Sequence, residues 1–225
     1  MQLVTASGQK IEKVMVAIPS GDQWAAGFGL DLALLMAYTT FARPDTEVSI
    51  YNLKGTYLPR ARAALAQKAI DLCASHILWL DSDMRFPKDT LIRLLAHGRS
   101  IVAANYPTRQ PPILPIATDA DGALLFDRPA EPLLAVRTAP MGCMLTATQV
   151  FLDLKKPWFA VGYSPAIDDY APEDTFFCQQ ARAHQYQVLV DSALSEQVRH
   201  VGTMEFHMDH ARMTQAAAQP HEDVA

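Results

Sequence analysis

Residues 76–95 read HILWLDSDMRFPKDTLIRLL, and this stretch decides the predicted fold. It begins with an apolar-leaning run of the length of a buried strand, which leads directly into Asp81 and Asp83. In open α/β sheets, ligands bind at the carboxyl ends of the strands. Because residues two positions apart in an extended chain point to the same side, we expect Asp81 and Asp83 to converge on one cation. Carboxylate oxygens suit Mg²⁺ or Mn²⁺, ions that usually share their coordination with substrate phosphates.

Segments of strand character alternate with segments of helical character through the first half of the chain. This alternation predicts an α/β fold with a mostly parallel central sheet that is flanked by helices. The predicted strands of this half are residues 13–18, 47–51, 76–80 and 100–104. We expect a small β excursion within the proline-rich residues 110–140, and an acidic loop at residues 168–171. We predict one domain over residues 1–204, followed by a polar tail at residues 205–225.

Composition excludes some classes of protein. The 225 residues are 50% hydrophobic with a formal net charge of −5, so the chain can build a full core and lacks the basic footprint of a general nucleic-acid binder. The cysteines number 3 without a CxxC pair, and the N-terminus shows no apolar signal segment, so we predict a cytoplasmic location. Residues 24–42 are apolar enough for a membrane span. Asp31 in their middle favours a helix buried in the protein, and no transmembrane segment is expected.

Charged residues at the starts of two predicted helices, and one histidine late in the chain, are further candidates for ligand binding, catalysis or metal binding. Arg60 and Arg62 occupy the first turn of a predicted helix, where an anionic ligand would compensate their charge, although solvated arginines are the commoner outcome. Glu173 and Asp174 open another helix, where they either complement the helix dipole or serve as a base in a cleft. His200 becomes a metal-ligand candidate only if the fold returns it to the acidic pair, since a lone histidine is more often structural.

Other positions have both a structural and a functional interpretation. Gly142 lies within a short predicted strand, where a glycine often marks the close approach of a backbone or a ligand. Trp158 belongs to an aromatic corner, for which packing is the default and stacking on a sugar or base is the alternative. His207, Asp209 and His210 have the composition of a metal site, but they fall in the predicted tail, where a solvated segment is favoured.

Taken together, these segments resemble the GT-A fold glycosyltransferases, close to the family-2-like enzymes of phage and bacterial genomes. VMVAIPSGD resembles the first-strand nucleotide loop, ILWLDSDMRFPKDTLIRLL the metal-binding DxD strand with its helix, and PMGCML the acceptor-side glycine strand. LPRARAALAQKAI is similar to the arginine-bearing helix, PEDTFFCQQARAHQYQVLVD to the ED-bearing helix, and VRHVG to the segment with a late histidine. The segments follow the family's order over residues 13–202, and the combination of a DxD strand, an ED helix and a late histidine is specific.

The resemblance implies a role for each matching residue. The residues implied to bind the nucleotide are Pro19, Ser20, Arg62, Asp81 and Ser82, with Arg62 approaching the base or the diphosphate. The residues implied to hold the metal are Asp83 and His200, with Asp81 as a further contact. The residues implied to act as the base, or to orient the acceptor, are Asp174 and Glu173. The residues implied on the acceptor side are Gly142 and Trp158.

The activity that the resemblance implies is metal-dependent transfer of a sugar from a UDP- or GDP-linked donor to an unidentified hydroxyl acceptor, with Mn²⁺ or Mg²⁺ as the cofactor. Asn52 stands where many relatives have an acidic base-contacting residue, which leaves the nucleotide open. The alternatives are a non-catalytic sugar-nucleotide-binding module and a nucleotidyltransferase of related fold, although PSGDQW has a single glycine and no basic residue. A phosphatase of the haloacid dehalogenase type is least favoured, since its DxD motif usually lies near the N-terminus.

Overall fold

The computed structural model describes residues 12–126, 131–165, 168–203 and 208. The helices in these residues are α1 (Ala26–Ala42), α2 (Leu58–Asp71), α3 (Thr90–Ala96), α4 (Thr148–Asp153), α5 (Glu173–Ala183) and α6 (Ser192–Ser195). The strands of the central sheet are β1 (Glu12–Ser20), β2 (Thr46–Lys54), β3 (His76–Leu80), β5 (Ile101–Ala103), β6 (Leu133–Val136), β7 (Cys143–Ala147) and β10 (Val188–Asp191). The short strands outside it are β4 (Met84–Arg85), β8 (Gly162–Ser164), β9 (Asp169–Ala171) and β11 (Arg199–His200). His207, Asp209 and His210 of the predicted tail lie outside the described residues.

The central sheet has the strand order β2-β1-β3-β7-β5-β10-β6. Parallel pairs join β1 to β2, β1 to β3, and β5 to β10. By contrast, β7 is antiparallel to both β3 and β5, and β6 is antiparallel to β10. The predicted α/β architecture with flanking helices is therefore confirmed. The sheet is mixed, with β6 and β7 running against the other strands.

Helices cover both faces of the sheet. Successive side chains of a strand point to opposite faces, and where both sets are apolar each face needs helices to bury it. In β3, Ile77 and Trp79 pack into one core with α2, α4 and α5, whereas Leu78 and Leu80 pack into a second core with α1, α3 and α6. All these side chains of β3 are fully buried. A strand that is buried on both faces has a continuous apolar sequence, which is why residues 76–80 could be recognised as a strand.

A partly buried ion pair attaches β4 to α1. Asp31 accepts hydrogen bonds from Nε of Arg85 at 2.5 Å, from Nη2 of Arg85 at 3.2 Å and from the backbone N–H of Phe86 at 3.1 Å. A Cβ at Gly27, one helical turn earlier, would come within 2.6 Å of the Arg85 guanidinium, so the glycine provides room for this pair. Asp31 of this apolar helix thus has its charged partner within the protein, while the other face of the helix exposes Leu30, Leu34 and Phe41. No helix in the described part of the chain has the length and apolar character that crossing a bilayer requires.

The two-stranded sheet of β4 and β11 brings the late histidine to the acidic segment. β4 directly follows Asp83, and it pairs antiparallel with β11 so that Met84 lies opposite His200. The backbone N–H of Val201 donates to the carbonyl of Asp83 at 2.8 Å. The condition under which His200 becomes a metal-ligand candidate is therefore met.

Several predicted elements differ from the structure. The acidic loop expected at residues 168–171 is wrong, because β8 and β9 form a hairpin whose facing tyrosine rings pack edge to face at 5.8 Å. Residues 133–136, expected in a separate β excursion, form the edge strand β6 of the central sheet. The helix that follows the acidic segment, α3, begins at Thr90, after a turn in which the Thr90 hydroxyl donates to the Pro87 carbonyl at 2.7 Å.

Candidate functional site

A cleft of about 570 Å³ opens at the carboxyl ends of β1 and β3. The residues predicted to bind nucleotide or metal that line this cleft are Pro19, Ser20, Asp81, Ser82, Asp83 and His200. The rest of its wall includes Arg109, the segment that leads into α1 and the loop after β2. This is the edge at which ligands bind in open α/β sheets, so the structure brings most of the predicted binding residues to one place.

Asn52 ties together the ends of β1 and β2 at one side of the cleft. Its Nδ2 donates to the carbonyl of Ile18 at 2.8 Å and to Oγ of Ser20 at 2.7 Å. The carbonyl of Ser20 accepts a further hydrogen bond from the N–H of Gly55 at 3.0 Å. An amide can donate to the Ile18 carbonyl, whereas a carboxylate could not, so an asparagine at this position has a structural reason.

Asp83 and His200 meet at the cleft. Nε2 of His200 lies 3.5 Å from Oδ2 of Asp83, and Nδ1 lies 3.1 Å from the carbonyl oxygen of Pro107. Because a carbonyl only accepts, Nδ1 carries a proton, and a hydrogen bond from Nε2 to the Asp83 carboxylate requires a proton on Nε2 as well. Loss of the Nε2 proton would free a lone pair that can bind a metal ion. Burial lowers the pKa of His200, but the hydrogen bond and charge of Asp83 outweigh burial and raise this pKa overall. Burial raises the pKa of Asp83, but His200 and Arg109 outweigh it and lower this pKa overall.

These two side chains fit a divalent ion. Ligands held at about 2.1 Å by one octahedral ion lie roughly 3.0 Å apart. The 3.5 Å between Nε2 of His200 and Oδ2 of Asp83 requires only a somewhat wider angle at the ion. A metal-bound histidine usually donates its other N–H to a carbonyl or carboxylate, as Nδ1 does here to Pro107. The described part of the chain contains no group of three or more such ligands, so an ion here would complete its shell with substrate oxygens or water.

Asp81 lines the same cleft, and its carboxylate is bound by Arg62. Both of its carboxylate oxygens accept from Nη2 of Arg62, at 3.0 Å and 3.1 Å. In this structure Asp81 pairs with Arg62, whereas Asp83 pairs with Arg109 and His200, and the convergence of both carboxylates on one cation stays a prediction. Burial is the main cause that raises the pKa of Asp81, against the opposing effect of Arg62.

Arg62 is buried behind the cleft. Its side chain is 2% exposed, and its Nε donates to Oε1 of Glu173 at 3.0 Å. Nε and Nη2 are hydrogen-bonded to Glu173 and Asp81, while Nη1 has no hydrogen-bond partner among the described residues, and the approach to a base or diphosphate stays a prediction. Desolvation lowers the pKa of Arg62, but these two carboxylates outweigh it and raise the pKa overall. The sequence contained a signal for burial, because helical spacing places Arg62 on the same face of α2 as Leu65 and Ala69.

Glu173 and Asp174 open α5 as expected, and their surroundings differ. Glu173 is buried and accepts a hydrogen bond from Arg62, which also donates to Asp81. Asp174 accepts a hydrogen bond from the N–H of Thr175 at 2.7 Å. Burial and then the charge of Glu173 raise the pKa of Asp174 to about 6, against Arg62. Asp174 is therefore the member of the pair that suits a general base near neutral pH.

Gly142 packs closely against the acidic segment. Its N–H donates to the hydroxyl oxygen of Tyr106 at 2.8 Å, and its carbonyl accepts from the N–H of Asp81 at 3.0 Å. A Cβ at this position would lie 3.0 Å from Oδ2 of Asp81 and would collide with the Tyr106 hydroxyl. The close approach that the glycine indicated is present, although Gly142 precedes β7 instead of lying within it.

Trp158 belongs to the core. It is 4% exposed, its ring packs edge to face on Phe151 at 5.5 Å, and its Nε1 donates to the carbonyl of Leu154 at 3.2 Å. Nζ of Lys156 lies 4.5 Å from the centroid of the same ring, so packing accounts for Trp158 in this structure, and its place on the acceptor side stays a prediction.

Arg109 lines the cleft, and the sequence analysis missed it. Nη1 of Arg109 pairs with Oδ2 of Asp83, and the Arg109 side chain is 53% exposed. A Cβ at Gly202 would lie 3.0 Å from Cβ of Arg109, so the segment after β11 packs closely on this loop. The only signal in the sequence was the position of Arg109 in the loop that follows a predicted strand.

No family model matches this sequence, and no curated protein matches it. Among solved structures, 106 chains match. One of them is the crystal structure of A197 from STIV, with a TM-score of 0.52 and 14% sequence identity over 87% of this chain and 99% of that chain. At this level of identity the likeness shows a shared fold alone.

Proposed function

We propose that this chain is a metal-dependent glycosyltransferase of the GT-A type, which moves a sugar from a nucleoside-diphosphate sugar to a hydroxyl acceptor. The observation that carries the proposal is the meeting of Asp83 and His200 in a cleft that begins at the end of β1. The order of the family-like segments supports the GT-A assignment, with the DxD motif directly after β3 and a carboxylate at the start of α5.

The donor occupies the cleft in this proposal. Pro19 and Ser20 face its nucleoside, while Asp83 and His200 hold the divalent ion beside its diphosphate. The ion, when bound, acts as a Lewis acid that neutralises charge on the departing nucleoside diphosphate. The volume of about 570 Å³ lies within the usual range for small-molecule sites.

Asp174 is the proposed base. The bond between the anomeric carbon and the diphosphate oxygen breaks, a bond to the acceptor oxygen forms, and the proton of the acceptor hydroxyl passes to the Asp174 carboxylate. Arg62 positions this region, because it connects Asp81 at the cleft with Glu173, the neighbour of Asp174. The pKa of about 6 keeps Asp174 largely ionised at neutral pH while leaving it basic enough to take a proton.

A panel of donors tests the proposal. The protein is incubated with Mn²⁺ and individual UDP- and GDP-linked sugars, and both donor hydrolysis and thermal stability are followed. A donor present at 100 times its dissociation constant should stabilise the fold by about 2.7 kcal/mol, and a chelator should abolish the effect. Asp83→Asn should lose this stabilisation, whereas Asp71→Asn, an exposed carboxylate at the end of α2, should retain it. A panel without metal-dependent stabilisation or hydrolysis contradicts the proposal.

A non-catalytic sugar-nucleotide-binding module is the second candidate, because Asp174 is not among the residues that line the cleft. The two candidates differ in turnover. A transferase should hydrolyse its donor slowly in the absence of acceptor, and Asp174→Asn should abolish this reaction while leaving donor affinity unchanged. Tight donor binding without any hydrolysis by the wild-type protein favours the binding module.

A further inference from the structure

We infer that Arg109 is a phosphate-binding residue of the cleft, which pairs with Asp83 until a divalent ion displaces it and then binds the diphosphate of the donor. This inference rests on the proposed function and adds a residue to it. It assigns Arg109 two successive partners in place of a fixed structural ion pair.

The contact that suggests an exchange is the shared oxygen of Asp83. Oδ2 of Asp83 pairs with Nη1 of Arg109, and the same oxygen lies 3.5 Å from Nε2 of His200. The oxygen of Asp83 nearest to His200, which a divalent ion between the two side chains would use, is the one that Arg109 contacts. An ion at this oxygen would compete with Arg109 and repel its positive charge, which favours release of the guanidinium.

The charges around the cleft give Arg109 a second partner. Among the described residues that line the cleft, Arg109 is the only arginine or lysine. Arg62, which lies behind the cleft, is already hydrogen-bonded to Asp81 and Glu173. A diphosphate bound beside the ion would therefore find the released guanidinium of Arg109 as its available side-chain cation, and a guanidinium can bind phosphate oxygens bidentately.

The loop that carries Arg109 holds the backbone in place and leaves the side chain accessible. The hydroxyl of Thr108 has its one proton within reach of the carbonyls of Gln110 and Pro112, at 3.1 Å and 2.9 Å, and it accepts from the N–H of Leu114 at 3.2 Å. The side chain of Arg109 is 53% exposed. A side chain with this exposure on an anchored loop can exchange partners without a rearrangement of the backbone.

Binding measurements on the whole protein test the exchange. Binding of Mn²⁺ alone is measured from the electron paramagnetic resonance signal of the free ion. Binding of UDP and GDP is measured by calorimetry at saturating Mn²⁺. The variants are Arg109→Gln, Arg109→Lys and, as a control that removes the same charge, Arg99→Gln, which is exposed just before β5 at the opposite edge of the sheet.

The exchange predicts effects of opposite sign. Arg109→Gln should bind Mn²⁺ alone about 2- to 5-fold more tightly, because an exposed competing ion pair is lost. It should bind the nucleoside diphosphate about 10- to 100-fold more weakly, because a hydrogen bond to a charged group is lost. Arg109→Lys should restore most of the nucleotide affinity, and Arg99→Gln should change neither affinity.

Two results would overturn the inference. A structural role for Arg109 would weaken both binding steps in Arg109→Gln, and unchanged affinities would show that Arg109 takes part in neither. Failure of the proposed function looks different, since the wild-type protein would then bind neither UDP nor GDP in the presence of Mn²⁺. The Mn²⁺ measurement decides in either case whether Arg109 competes with the ion.

Discussion

Replacement of Arg62 by methionine should strongly destabilise the protein. The Arg62 side chain is 2% exposed, and its partners Glu173 and Asp81 have side chains that are 9% and 25% exposed. Removal of one member of a buried ion pair costs about 3–5 kcal/mol, and the partial exposure of Asp81 favours the lower end, about 3 kcal/mol. In a domain of this size each kcal/mol lowers the Tm by about 2–4 °C, so we expect a loss of roughly 6–12 °C.

The stability that Arg62→Met loses relative to the wild-type protein should be smaller at low pH. Arg62 lowers the pKa of both Asp81 and Asp174, so without it these values rise further above those of the unfolded chain. A carboxyl group with a raised pKa in the folded state destabilises the fold increasingly as pH rises, and its protonation at low pH relieves that cost. Thermal unfolding of both proteins at pH 8 and pH 5 measures the difference. Arg60→Met, at an exposed position of α2, is the control and should cost less than about 0.5 kcal/mol. An Arg62→Met variant as stable as this control, or equally destabilised at both pH values, would refute the reasoning.

Three further substitutions test individual assignments. Asp174→Asn should slow sugar transfer at least about 100-fold. Asp174→Asn should also stabilise the fold at pH 8 by about 1–3 kcal/mol. The reason is that the pKa of Asp174 in the folded protein, about 6, exceeds the usual 3.8, so folding disfavours the carboxylate that is charged at pH 8. Unchanged turnover or lower stability contradicts this assignment. Gly142→Ala should cost about 1–3 kcal/mol in urea unfolding through its collision with the Tyr106 hydroxyl, and a neutral effect would disprove the close packing. Trp158→Phe should lower the free energy of unfolding by about 1–3 kcal/mol, because the buried carbonyl of Leu154 loses its hydrogen-bond partner. The affinity for the sugar nucleotide should stay unchanged, and a weaker affinity would place Trp158 in the site.

The fold could be predicted where burial leaves a periodic signal. Residues 76–80 are apolar on both faces, so they could be recognised as a central strand. The direction of β7 could not be predicted, because an apolar run has the same composition whether its strand runs parallel or antiparallel to its neighbours. The pairing of β4 with β11 was also beyond prediction, since each strand spans two residues and no pattern repeats over that length.

The site could be predicted only in part, for a related reason. Asp83 follows a recognisable strand, whereas His200 depended on a contact between distant parts of the chain. Charge suggested that Arg62 faces solvent or a ligand, but its helical spacing with buried residues was the better guide. For Trp158 the residue type alone favoured packing, which the structure shows, whereas the acceptor-side role came from the resemblance.

The central claim is that Asp83 and His200 hold one divalent ion beside a bound nucleoside diphosphate. Electron-spin-echo envelope modulation of Mn²⁺, bound to the protein together with UDP or GDP, detects a directly coordinated imidazole nitrogen. We predict nitrogen modulation in the wild-type complex that disappears in His200→Gln and persists in His184→Gln, a change at an exposed histidine at the end of α5. A wild-type complex without nitrogen modulation, or modulation that survives in His200→Gln, would contradict the account.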